Sequence, residues 1–114
     1  MKIILPYPPK VLQGNGGKKT HWGKRYRIEQ KYKTDCKYIA SQIRPKKTDK
    51  DLHLAITFHP KTRNAVDRDN LITGFKYGQD ALAAAWKIDD SRFIPHYAIG
   101  HPVKGGSVEI EVLQ

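Results

Sequence analysis

Residues 52–59, LHLAITFH, alternate apolar Leu52, Leu54, Ile56 and Phe58 with His53, Ala55, Thr57 and His59. A period of two belongs to a strand with one buried face, so the pattern predicts a half-buried strand with His53 and His59 on its polar side. KIIL at 2–5 predicts another strand, stopped by PYPP because proline donates nothing to a sheet ladder. Between Tyr26 and Ile43 the residues Ile28, Tyr32, Cys36, Ile39 and Ile43 recur at helical spacing, with Lys31, Lys33 and Lys37 off that face. This predicts an amphipathic helix ended by Arg44-Pro45, since the residue before proline avoids helical dihedrals. Cys36 lies in the apolar stripe and reads as core. A second helix is predicted from Leu71 to Trp86, with Leu71, Phe75, Leu82 and Trp86 along one face. Gly74 and Gly78 each weaken it by roughly 1 kcal/mol relative to Ala, which points to close backbone packing. FIPHYAIG reads as a strand, and PVKGGSVEIEVL as a glycine turn into a last strand with Val108, Ile110 and Val112 inward and Glu109 and Glu111 outward. The order is β-α-β-α-β-β, without repeats or low-complexity tracts.

At 114 residues the chain is the size of one domain, 1–114. Its single cysteine excludes an internal disulfide and suits a reducing compartment. No amino-terminal signal pattern and no apolar run of about 20 residues are present, so a cytoplasmic protein with no membrane partner is expected. Charge changes the picture more. The formal net charge is +10, and residues 1–50 carry 14 Lys and Arg against 3 acids while 51–114 carry 7 against 8. A positive charge concentrated in one half is the footprint of a polyanion binder, nucleic acid first. Lys18, Lys19, Lys24, Arg25 and Arg27, in and after a glycine-rich loop, are candidate phosphate contacts, as are Arg63 and Arg68. The loop is not a nucleotide-cradling P-loop: the first required glycine is Leu12, and Lys18 is followed by Lys19. No nucleotide cofactor is therefore expected. The five histidines lack zinc-ligand spacing, and no nucleophile elbow is present.

Against this basic background DRDN sets Asp67 and Asp69 two residues apart. In an extended segment their side chains would point the same way, with Cα atoms about 6–7 Å apart, and would repel by ~1 kcal/mol in water and more where less solvated. A magnesium ion offsets such repulsion and keeps sites for waters and a substrate phosphate, with Asp89-Asp90 as a source of a third carboxylate. The same residues also suit other roles. Asp69 or Asn70 can cap a helix, Asp67 can pair with Arg63 or Arg68, Lys76 and Asp80 can form an i, i+4 pair, and Asp89-Asp90 can form a turn.

LPYPP, the basic glycine-rich loop, DRDNL, KYGQDAL, KIDDSRF and PVKGGSVEIEV, in that order and over nearly the whole chain, resemble the RusA family of Holliday-junction resolvases. The resemblance implies an α+β domain with a mixed sheet packed against two helices. It also implies a homodimeric, magnesium-dependent endonuclease that nicks four-way DNA junctions symmetrically in recombination and repair, in bacterial or phage-infected cells. By resemblance, Asp67, Asp69 and Asp90 are catalytic and hold one or two magnesium ions. The family lysine stands six residues after the first Asp, where this chain has Thr73. Lys76 keeps the family's four-residue distance to D-A-L, so a one-turn insertion after DNL assigns the role to Lys76. Some members carry Arg immediately before the first Asp; here Val66 stands there, with Arg63 or Arg68 as substitutes. A straight helix from Leu71 to Trp86, roughly 24 Å long, leaves Asp90 far from Asp69. Either the helix starts late or bends at Gly74 or Gly78, or Asp90 comes from a partner subunit. Two other readings fit the same residues: a non-catalytic basic nucleic-acid binder, and a metal nuclease acting on other branched or single-stranded DNA. Tyr7, Trp22 and Tyr26 are candidates either to stack on bases or to anchor loop and core.

Overall fold

The computed structural model describes residues 1–14 and 21–114; Lys18 and Lys19 lie outside them. The strands are β1 (Lys2–Leu5), β2 (Leu52–His59), β3 (Phe93–Ile99) and β4 (Ser107–Leu113), and the helices α1 (Trp22–Ala40) and α2 (Arg68–Trp86). They form one mixed sheet in the order β1-β4-β2-β3. β2 and β3 are parallel, and β4 runs antiparallel to both β1 and β2. The parallel pair follows from the long β2–α2–β3 connection, because a strand can return parallel only through a crossover. Pro95 sits in β3, an edge strand of the sheet, where a missing N–H is tolerated.

The alternation read from the sequence places one sheet face in the core. Ile3, Leu5, Leu54, Ile56, Phe58, Val108, Ile110 and Val112 are buried there with Tyr32 and Cys36 of α1 and Leu71, Phe75, Leu82 and Trp86 of α2. The opposite face, with His53, His96, Ala98 and Ile4, is exposed. The result is a two-layer α+β domain with both helices on one side. Phe75 meets Phe58 edge to face at 5.7 Å, and Trp86 meets Phe93 in the same way at 6.2 Å.

Both helices begin earlier than their apolar periodicity suggests, because polar caps decide helix starts. His21 Nδ1 accepts the Gly23 N–H and α1 starts at Trp22; the Asp67 carboxylate accepts the Asn70 N–H and α2 starts at Arg68. α1 ends at Ala40 rather than Ile43, and the Trp86 indole N–H reaches the carbonyls of both Ala40 and Ile43 at 3.0 Å. The glycine-rich loop is anchored at its start: Lys10–Leu12 is a 3-10 turn with Leu12 buried. The two helical glycines are close-packed, as their cost in the sequence implied. A Cβ on Gly74 would lie 2.9 Å from Gln13 Cγ, and one on Gly78 would lie 2.4 Å from the Phe75 ring.

His59 departs from the strand pattern. It is buried rather than on the polar face, because the β3–β4 connection crosses the end of β2. The Val103 N–H donates to the Pro60 carbonyl at 2.9 Å, and His59 Nδ1 donates to the His101 carbonyl at 2.8 Å. Gly100 makes room: a Cβ there would lie 2.6 Å from the His59 ring. No described helix is long and apolar enough to cross a membrane.

Two outcomes follow from this packing. Gly78→Ala is expected to destabilise by about 1–3 kcal/mol despite the better helix propensity of alanine, because the Phe75 ring is fully buried and has nowhere to move; urea unfolding measures it. Burial, with the Asp35 charge adding to it, pushes the Cys36 thiol up to about 12 from 9.0. The folded chain therefore keeps a proton that the unfolded chain loses. This contribution to stability is full below about pH 9 and is lost as pH rises toward about 12. The urea midpoint should fall across that window for wild type and fall less for Cys36→Ala, and iodoacetamide should label Cys36 only as the chain unfolds.

Candidate functional site

Three connections gather at the edge of the sheet where the parallel strands end. β1 runs alongside β2 in direction, so its exit, Pro6–Gln13, reaches the same edge as the 60–66 and 100–106 connections. A cleft of about 550 Å³ opens there between Tyr7, Lys10, Lys61, Asn64, Val66 and Gly106. Val66 leads directly into Asp67, so the cleft ends at the start of α2. In open sheets with parallel strands, the carboxyl ends of those strands are where ligand sites are built.

The helices point the same way. Lys33 Nζ lies 5.5 Å from the Tyr77 ring centroid, and Ala40 lies beside Trp86, so α1 and α2 run parallel with their amino termini at this edge. The same offset carries Trp22, Lys24 and Arg25 to the level of Asp67–Asp69. Each helix contributes about half a positive charge at its first turn, and α1 has no acidic residue there to offset it. Gly14, at φ +49, abuts the Asn70 side chain so closely that a Cβ would lie 2.0 Å from its Oδ1. The described end of the basic loop therefore touches the first turn of α2.

The aspartates are not a parallel pair on an extended strand. Asp67 is extended and caps α2, its Oδ1 accepting the Asn70 N–H at 3.1 Å; Asp69 already lies within the helical first turn. The cap is Asp67, not Asp69 or Asn70, because its extended backbone lets the carboxylate fold over the first turn. Both aspartates are exposed. None of the ion pairs among the described residues includes Asp67, Asp69, Arg63, Arg68, Lys76 or Asp80. Lys76 is exposed seven residues after Asp69, two turns along the same stripe of α2, and Thr73 lies between them with its hydroxyl donating to the Asp69 carbonyl at 3.0 Å. Lys24 and Arg27 are exposed, Arg25 half-buried, and Arg63 lies in the 60–66 connection.

Asp90 is elsewhere. α2 is unbroken over 19 residues, about 28 Å at 1.5 Å per residue, and Asp90 opens a 3-10 turn beyond its far end. Gly74 and Gly78 do not break the helix, and it starts earlier rather than later. Asp89 caps the 3-10 turn, and the Ser91 N–H holds its carboxyl below the usual range. Among the described residues no three His, Cys, Asp or Glu side chains gather closely enough to share a metal ion. Asp67 and Asp69 offer, at this edge, hard oxygen donors of the kind magnesium takes, one or two carboxylates completed by waters and phosphate oxygens.

Of the two roles the sequence leaves open for Trp22 and Tyr26, that of core anchor is excluded, because they are 77% and 57% exposed. The burial of His59, its Nδ1–H committed to the His101 carbonyl, has no signal in the sequence, because only the crossing connection produces it.

No family profile matches the sequence. An uncharacterized protein of Xylella fastidiosa strain Temecula1 is 31% identical over 115 aligned residues, covering 96% of this chain and 74% of that protein.

The capping role separates the two aspartates experimentally. Asp67→Ala should cost about 0.5–2 kcal/mol of stability and Asp67→Asn only a few tenths, because asparagine also caps. Asp69→Asn should cost about 0.3–1 kcal/mol, the worth of a first-turn carboxylate at the positive end of the helix dipole. Thermal unfolding of the three variants decides it.

Proposed function

We propose that this chain, which belongs to the same family as the Xylella fastidiosa protein, is a RusA-like, magnesium-dependent endonuclease that nicks four-way DNA junctions, acting in the cytoplasm of a bacterial or phage-infected cell. One observation carries the reading. In a chain of net charge +10, Asp67 and Asp69 are exposed and make no ion pair among the described residues, at an edge shared by two helix amino termini and the basic residues of their first turns, Lys24, Arg25 and Arg68. Carboxylates in such surroundings would repel a nucleic acid unless a cation stood between them and a phosphate.

Asp67 keeps one oxygen in the cap and has the other for a ligand; Asp69 offers both. Held by these two residues, magnesium would supply Lewis acidity and an activated water for phosphodiester hydrolysis. Lys76 stabilises the negative charge that develops on the phosphate. Its stripe supports the one-turn shift from Thr73, because residues three apart share a helix face. Arg63 and Arg68, with Lys24, Arg25 and Arg27, bind and orient the phosphate backbone, giving affinity that falls with salt. Asp90 joins a site only from a second copy, with the two α2 helices antiparallel, so that one helix end lies against the other's start. A homodimer of this kind presents two sites in the two-fold relation of a four-way junction.

A second reading has its own support. The Asp67 cap is a complete structural role, and with Asp69 merely in the first turn the chain would be a non-catalytic nucleic-acid binder. Gel cleavage of an end-labelled four-way junction and a matched duplex, with magnesium or EDTA, separates the two. Paired symmetric nicks in the junction alone, abolished by EDTA and reduced at least ~100-fold by Asp69→Asn, are the expected result, and mixed Asp67→Asn and Asp90→Asn subunits should regain part of the activity. Binding without nicking returns both aspartates to the role of helix start. Nicking of flaps or single strands in preference to junctions makes the chain a metal nuclease of another specificity.

A further inference from the structure

Single exposed apolar residues are ordinary, and Tyr38, alone near the far end of α1, is one. Trp22 and Tyr26 differ. They are four residues apart and so share a face of the helix, they are 77% and 57% exposed, and the His21 ring stacks against Trp22 at 5.7 Å between centroids. The three rings extend over the first two turns of α1. Arg25, half-buried, is three residues from Trp22 and shares its side of the helix, Lys24 and Arg27 are exposed on the other faces of the same two turns, and the first turn holds no acid. An apolar partner would have to desolvate these cations, whereas a single strand uses both the rings and the charges.

We propose that Trp22 and Tyr26 form a nucleobase-stacking platform, taking unpaired bases of the nucleic acid whose phosphates meet Lys24, Arg25 and Arg27. Every base has a π face, so aromatic rings bind unpaired bases without regard to sequence, while flanking cations hold the backbone. Paired and stacked bases inside a duplex cannot reach the rings. The platform lies at the level of Asp67–Asp69 along the parallel helices, which would bring a strand with unpaired bases to the carboxylate edge. The inference rests on the reading of the ligand as nucleic acid, but not on cleavage.

Tryptophan fluorescence tests it directly. Trp86 is buried in the core, so a ligand that covers a tryptophan reports on Trp22. With EDTA present to prevent cleavage, an oligothymidylate single strand should quench the emission, and a blunt duplex of equal charge should not. Trp22→Ala and Tyr26→Ala should each weaken single-strand binding by roughly 5- to 150-fold and change duplex binding less than about twofold. Trp22→Leu keeps apolar bulk without a π face and should lose as much as Trp22→Ala, while Trp22→Phe should recover most of the affinity. These side chains are exposed, and circular dichroism of each variant confirms an intact fold. Equal loss on single strand and duplex overturns the platform, as does full retention by Trp22→Leu. So does a change of oligomeric state on Trp22→Ala in sedimentation, which would assign the rings to a second copy of the chain. Quenching by single strand without any magnesium-dependent nicking would sink the nuclease and leave the platform; junction nicking without quenching would do the reverse.

Discussion

Phe75 meets Phe58 edge to face at 5.7 Å, and through that contact α2 lies fixed across the parallel strands β2 and β3. The arrangement at the candidate site depends on this placement. With Leu71 and Leu82 buried above and below Phe75, the helix has one axial position, and Asp67 is carried to the edge where β2 ends. Gly78 permits it, because the Phe75 ring occupies the space a side chain there would need. The aromatic contact contributes about 0.5–1.5 kcal/mol beyond area burial, but its larger effect is to set the depth of α2 and hence the height of the carboxylates above the sheet.

The parallel run of α1 beside α2 concentrates charge. Two amino-terminal half-charges, the cations of the first turns of α1, and Arg68 all face the same edge, while the carboxyl-terminal halves of both dipoles face the other. There Arg44, Lys46, Lys47, Lys87 and Arg92 line a basic pocket and offset those ends. The protein is thus positive at both poles, and the aspartates at one of them sit in a positive field that favours a carboxylate. What sets Asp69 apart is not the D-x-D spacing but that its carboxylate is exposed and makes neither a cap bond nor an ion pair among the described residues.

Local patterns were legible wherever one face of an element decides its residues. β2 has the bounds that alternation gives and β1 those of KIIL before the PYPP stop, Val108, Ile110 and Val112 point inward, and the two glycines of α2 are packed as their cost implied. Misplaced features depend on side-chain caps or distant chain. The starts of α1 and α2 are set by His21 and Asp67, single hydrogen bonds that leave no trace in hydropathy. His59 is buried by a connection more than 40 residues away in sequence. At the site, Asp67, Asp69 and Lys76 were readable as residues but not as an arrangement, because the spacing fits a strand and a helix start equally well until the Asn70 N–H chooses. The remoteness of Asp90 was readable from helix length alone; the unbroken course of α2 was not.

β4 lies second in the sheet although it is the last strand in the chain. It carries the hydrogen bonds of both β1 and β2, so β1 gains this neighbour only once residues 107–113 have been synthesised and have left the ribosomal tunnel. Until then the chain can pair β2 with β3 beneath α2, but the exit of β1 toward the cleft remains without its anchor. Strand order therefore acts as a timer: a growing chain holds its aspartates at a helix start early, yet the edge that surrounds them closes only when the centre of the sheet is filled from its other end.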